Sequence, residues 1–196
     1  MSDVELSFGT PSLTDNGTNV SPFANNSDPI LAHLLSTNQF RRAFWRGIND
    51  LVNNDNGPMR NGQILPVAEA NRAALRDNGV TYSSQVFFNL TNWIDGRKRY
   101  LRDQLKPVTA AFVMQDPTGN ITTSQTTYTL KGQAPFDSVY VYTNGTEAKV
   151  TWTTVTNWQQ TVNLSVGANS YAVTGRDRSR NVITGESPSQ FTITRQ

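Results

Sequence analysis

The hydrophobic period of the chain switches once, at Pro107, and that switch limits the fold more than any single residue does. Upstream, apolar residues recur at three- and four-residue intervals. Downstream, Thr, Val, Tyr and Trp alternate with polar residues in short runs bounded by Gly and Asn. Side chains return to one face every 3.6 residues on a helix and every second residue on a strand, so the two periods belong to the two kinds of element. The reading is an α+β multidomain chain. A mostly helical segment of about four helices covers residues 1–107, and an all-β sandwich of about seven strands covers residues 108–196.

Within the first part, residues 10–27 are almost all turn formers and read as a surface loop. Asp28-Pro29 then offers an N-cap and a first-turn proline for a short helix, Ile30 to Ser36. Asn38 can cap a second, on which Phe40, Phe44, Ile48, Leu51 and Val52 form the core stripe while Arg41, Arg42, Arg46 and Asp50 fall mostly elsewhere. Pro66 and Gly79 bracket a third, Val67 to Asn78. The fourth is expected to start at Asn92, with Asp95 completing a capping arrangement, and to run through Trp93, Ile94, Leu101 and Leu105 until Pro107 ends it.

In the second part the strand candidates are Val108 to Gln115, Thr126 to Gly132, Ser138 to Thr143, Glu147 to Thr154, Gln159 to Leu164, Ser170 to Asp177 and Gln190 to Thr194. Asn144-Gly145 marks a hairpin turn. Tyr171, just beyond the Gly167 turn, is set to tie a corner to backbone through its hydroxyl, in the manner of a tyrosine corner.

Charge narrows the function classes. The formal net charge of +2 is spread evenly, with 11 Lys/Arg against 10 Asp/Glu up to residue 107 and 6 against 5 after it. Neither half is a polycation, which leaves no large counterion-release term and argues against nucleic acid as a partner. With no cysteine, disulfides, Cys-ligated zinc and thiol nucleophiles are excluded. No apolar stretch approaches the roughly 18 residues of a membrane span.

Few side chains suggest chemistry. His33 lies among leucines without a second ligand in sequence reach. Arg97, Lys98, Arg99 and Arg102 cannot share one helix face, and Asp95 and Asp103 stand ready to pair with them, so a solvated cluster is the plainer reading than a phosphate site. One of the adjacent Arg41 and Arg42 must turn toward the protein body, where a buried ion pair is expected. Tyr128, Phe136, Tyr140, Tyr142, Trp152, Trp158 and Tyr171 suit either a sandwich core or a sugar-stacking platform, with core the commoner outcome. Asp177 and Asn181 supply too few carboxylates for calcium and read as a hairpin. Asp3 and Glu5, two apart, point the same way on an extended strand and can share a divalent cation, although two acids near a chain terminus are usually just solvated.

Four segments carry a resemblance: Ser2 to Gly9, Asp28 to Leu35, Phe40 to Trp45, and Trp93 to Leu101. In order and spacing, they resemble the closing third of the spore coat protein H (CotH) kinase-like family. In that family an acidic pair followed by aromatic-Gly ends the catalytic core and holds the divalent metal. Carried over, the resemblance makes Asp3 the metal-binding acid, Glu5 its companion and Phe8-Gly9 the turn. Glu5 departs from the usual Asp by one methylene. The family's nucleotide-positioning Lys and catalytic acid lie upstream of these motifs. The resemblance thus implies a C-terminal portion of an atypical protein kinase, with ATP and Mg or Mn as cofactors of the intact parent, the upstream part of the same polypeptide as partner, and no activity in this chain alone.

Residues 108–196 in turn resemble bacterial immunoglobulin-like or fibronectin type III modules, through Gly167, Asn169, Tyr171, Val173, Asp177 and Asn181. That resemblance implies a secreted or cell-surface bacterial protein that meets extracellular proteins or glycans. The alternative readings it opens are a non-enzymatic adhesion or spacer module and a carbohydrate-binding accessory domain.

Overall fold

The computed structural model describes residues 29–53, 59, 61–80, 84–183 and 189–196, with backbone alone at 31, 61 and 84–90. Among the described residues there are four helices followed by nine strands in two sheets: an α+β chain with helices first and a β-sandwich after. The helices are α1 Pro29–Ser36, α2 Asn38–Val52, α3 Asn61–Asp77 and α4 Ser84–Leu105. Two compact units result, and their boundary falls inside α2. The helical unit takes α1 as far as Leu35 and the chain from Gly47 to Leu105; the other takes Ser36–Arg46 together with Lys106–Gln196.

In the helical unit, α3 starts six residues before the expected Val67, so that Pro66 lies inside it. A proline there forfeits one ladder bond, to the Gly62 carbonyl, which a helix of 17 residues tolerates. The C-terminus closes as the sequence indicates. Gly79 takes φ +76°, its N–H donates to the Arg76 carbonyl at 2.9 Å, and the Val80 N–H reaches back to Leu75 at 3.0 Å, the paired bonds of a Schellman cap. The start of α4 also precedes expectation: Asn92 and Asp95 are exposed interior residues, not a cap. Its buried side chains, Ile94, Arg97, Leu101 and Leu105, fall on one stripe. From its exposed flank Arg102 donates to the Val52 carbonyl at 2.7 Å and to Asn53 Oδ1 at 2.9 Å, placing a cation on the carbonyl end of α2, where the helix dipole favours it.

The sandwich comprises β1 Val113–Asp116, β2 Ile121–Thr123, β3 Thr127–Gln133, β4 Tyr140–Thr143, β5 Thr146–Glu147, β6 Thr151–Trp152, β7 Asn157–Asn163, β8 Gly167–Arg176 and β9 Ser189–Arg195. One sheet runs β1-β3-β7-β6 and the other β2-β9-β8-β4-β5. In immunoglobulin lettering this is A-B-E-D facing A′-G-F-C-C′. One observed strand lies outside every expected run, and one expected run is divided between the sheets. Val108 to Gln115 gives only β1, antiparallel to β3, while the unexpected β2 runs parallel to β9. The run Glu147 to Thr154 becomes β5, against β4, and β6, against β7.

Leu130, Val141, Val173, Ile193 and Trp158, drawn from both sheets and each at most 1% exposed, form the centre of the core, with Phe112 stacked on Trp158 at 6.1 Å. The Asn144-Gly145 turn has φ +51° and +78°, the two positive values that a two-residue hairpin loop needs. At the corner leading into β8, Gly167 has φ +92° and the Asn169 amide bonds both the N–H (3.0 Å) and the carbonyl (2.8 Å) of Ser165. The Tyr171 hydroxyl donates to the Asn163 carbonyl at 3.3 Å, as the corner motif anticipates.

Two asparagines finish strands whose neighbours have stopped. Asn120 Oδ1 accepts the Thr192 N–H at 2.7 Å. Asn144 accepts the Ala172 N–H through Oδ1 at 2.7 Å and donates to the Ser170 carbonyl through Nδ2 at 3.0 Å.

Gly132 pairs with Trp158 across β3 and β7, and a Cβ at this glycine would lie 2.4 Å from Trp158 Cζ2. Gly132→Ala is therefore expected to cost about 1–3 kcal/mol by overpacking. Gly119→Ala, with nothing within 4 Å of the new methyl, should stay within about 0.5 kcal/mol. Urea midpoints of the two variants check the contrast.

Candidate functional site

Asp3 and Glu5 lie outside the described residues. His33 is exposed on α1, and among the described residues no group of three or more His, Cys, Asp or Glu gathers as a metal set. The basic cluster of α4 does not converge. Arg97 is buried and its guanidinium lies 5.5 Å from the Tyr100 ring; burial lowers its pKa. Arg99 faces solvent and Arg102 is committed to the end of α2.

The arginine pair on α2 behaves differently from expectation. Arg42 is 2% exposed, and among the described residues its bonds go to carbonyls instead of a carboxylate. Nη1 donates to Val155, and Nη2 donates to Pro135 at 2.6 Å and Ser138 at 2.5 Å. The Trp152 ring lies 3.4 Å from the guanidinium carbon. One turn to either side, Asn38 donates to the Trp152 carbonyl at 3.0 Å and Arg46 to the Phe136 carbonyl at 2.9 Å. Residues 38, 42 and 46 share a helix face, so three polar side chains at four-residue spacing satisfy carbonyls of the two loops, 134–139 and 153–156, and of the β6 edge. The signal is present in the sequence as Asn-x₃-Arg-x₃-Arg. An apolar stripe drawn through Phe40 and Phe44 hides it, whereas the most buried line of α2 runs through Arg42, Trp45, Ile48 and Val52. Burial pushes the Arg42 guanidinium down to about 9, with Arg46 adding to the fall and Asp137 opposing it; at neutral pH it stays charged.

The aromatic set divides. Trp158 and Phe136 are core, and Trp152 is covered by Arg42. Tyr171 stacks on Phe191 at 5.6 Å. Tyr140 and Tyr142 alternate with the inward Val141 on the outer side of the five-stranded sheet, where Tyr140 is half-buried and Tyr142 is buried at 9% exposure. Cross-strand register puts Arg176 opposite Tyr140 and Glu147 opposite Tyr142. The Arg176 guanidinium lies 4.4 Å from the Tyr142 ring, and that of Arg180 5.2 Å from Tyr140 and 3.4 Å from Glu147. Arg176 also donates to the Arg180 carbonyl at 2.9 Å. The Asp177–Asn181 turn that presents Arg180 is held by the Asn181 N–H to Asp177 Oδ1 at 2.9 Å, a hairpin as expected. These ring faces carry guanidinium groups, which leaves them poorly disposed to stack on a sugar. Farther along the same sheet lies a shallow cavity of about 320 Å³, lined by Asn120, Asn144, Ser170, Gln190 and Thr192 among others and bearing no charge. The Tyr–Arg face thus gathers two rings, two guanidinium groups and the Glu147 carboxylate on one side of the sheet.

No protein-family model and no curated protein matches the chain. No helix among the described residues is long and apolar enough to cross a membrane.

Tyr128 donates its hydroxyl to Asp116, and burial first, then that bond and the carboxylate's charge, push its pKa up to about 12. A folded pKa above the unfolded value of about 10 means that the protonated phenol stabilises the fold below pH 10, and that this contribution is lost as pH rises toward 12. Urea midpoints measured between pH 10 and 12 should fall more steeply for the wild type than for Tyr128→Phe. Parallel slopes would contradict the assignment.

Proposed function

We propose that this chain joins the helical closing part of a CotH kinase-like domain to an immunoglobulin-type sandwich, and that by itself it binds and does not catalyse. The kinase-like relation is supported by the helices: the described parts of the quoted segments, from Pro29, Phe40 and Trp93, all fall within α1, α2 and α4. With Asp3 and Glu5 as its share of a metal site, the chain would supply only a fraction of the charge that phosphoryl transfer requires.

The observation that carries the binding reading is the face built from Tyr140, Arg176 and Arg180, with the buried Tyr142 ring beneath Arg176 as its support. Tyrosine and arginine dominate the energetics of protein interfaces because each offers a large, stiff contact area with a polar tip. Here each ring holds an arginine in place, so a partner meets side chains that have already lost part of their rotamer freedom. The immunoglobulin-type strand order supports a module displayed to extracellular partners, protein before glycan, on a bacterial surface or in a secreted protein.

Two measurements test this. Addition of ATP with Mg²⁺ is expected to leave the unfolding temperature unchanged; a saturable rise, or label transfer from ATP that Asp3→Ala abolishes, would instead mark a working nucleotide site. Binding to arrayed extracellular proteins and glycans should weaken about tenfold or more in an Arg176→Ala/Arg180→Ala variant and be unaffected by Arg99→Ala. Equal loss in both variants, or hits confined to glycans, would count against a Tyr–Arg protein interface.

A further inference from the structure

We propose that the carbonyls of Pro135, Ser138 and Val155, with the face of Trp152, form a guanidinium-binding site in its own right, filled in this fold by Arg42 and able to take an alkylguanidinium from solution when that side chain is cut back. The acceptors converge from two loops that lie 93, 96 and 113 residues from Arg42 in sequence, so the arginine meets them as a ligand meets a receptor. All three are backbone carbonyls, and other bonds hold them where they are. Ala134 N–H bonds Thr156 at 2.8 Å, Phe136 N–H bonds Val108 at 3.1 Å and Ser138 N–H closes a turn on Pro135 at 3.1 Å. Thr154 Oγ1 accepts from the Asn157 N–H at 2.8 Å. None of these bonds involves Arg42, which makes the site preformed.

Its chemistry selects one cation. Three carbonyl dipoles in reach of two Nη groups, beneath a ring 3.4 Å from Cζ, suit a planar fork that donates in its plane and stacks on its face. An ammonium is compact and strongly hydrated, and it cannot do both. The nearby Asp137 assists by charge without bonding the guanidinium. The neutral acceptor set therefore recognises shape and donor geometry more than charge, and its ligand class is the arginine side chain or a small alkylguanidinium.

The test uses the full chain. Arg42→Ala should unfold at a lower temperature than wild type, and methylguanidinium at about 20 mM should raise the variant by about 2–4 °C in a saturable manner while leaving wild type unmoved. Methylammonium at the same concentration should do nothing, and Trp152 fluorescence should report the same saturation. An equal response to both cations, or to neither, overturns the proposal. If Arg42→Ala does not fold, Arg42→Lys decides in its place. A guanidinium site predicts that lysine destabilises as much as Arg42→Met, and a lysine variant as stable as wild type would show that charge alone is read.

Discussion

A cation whose bonds, among the described residues, go to carbonyls and to no carboxylate holds helix to sandwich in residues 36–46. Burying a guanidinium costs several kcal/mol unless its donors are met, and here three carbonyls and an indole face meet them. Charge-assisted bonds contribute about 1.5–3 kcal/mol each, so the set offsets the desolvation it demands and little is left over. The contact matters more for definition than for net stability. Arg42 permits one register of the helix on the loop carbonyls, and Asn38 and Arg46, a turn away on each side, repeat the requirement. The carbonyls that Arg42 and Arg46 bond belong to the loops 134–139 and 153–156, outside the sheet ladders, and Asn38 adds the Trp152 carbonyl at the β6 edge.

Much of the second half is legible from local chemistry. Gly167 supplies a positive φ, Asn169 a turn amide, Tyr171 the corner hydroxyl and Val173 core methyls, while Asp177 and Asn181 form the two ends of a hairpin loop. Each of these roles is local, so a short motif encodes it. The division of Glu147 to Thr154 between two sheets, and the three-residue β2, depend on which distant strand offers a free edge, and alternation within the run does not carry that. In the helices the punctuation misleads where it is ambiguous. Pro66 suits a first turn but sits in the interior of α3, and Asn92 and Asp95 suit a cap but lie exposed in mid-helix, where they are equally at ease.

The candidate sites follow the same divide. Tyr140 and Tyr142 are visible as strand residues, yet core and surface both use tyrosine, and only the cross-strand register with Arg176 and Glu147 turns them into a face. Arg42 is visible as half of a pair, one member of which has to turn inward. The ion pair expected for it gives way to carbonyls because a guanidinium donates to any well-placed oxygen, and the oxygens here come from residues 135–155, invisible to a helix-local reading. The proposed CotH kinase-like relation rests on motif order, and Asp3 and Glu5 lie outside the described residues.

Asn120 and Asn144 bear on how such a molecule lives among copies of itself. A strand that outlasts its neighbour leaves a short row of open amide and carbonyl groups, the feature through which β proteins stick together at high concentration. At both places the row meets an asparagine amide, which has the same donor and acceptor as a peptide unit but no chain to continue. Each amide acts as a terminator. The sheet thus carries less risk of growing, strand by strand, into a fibre.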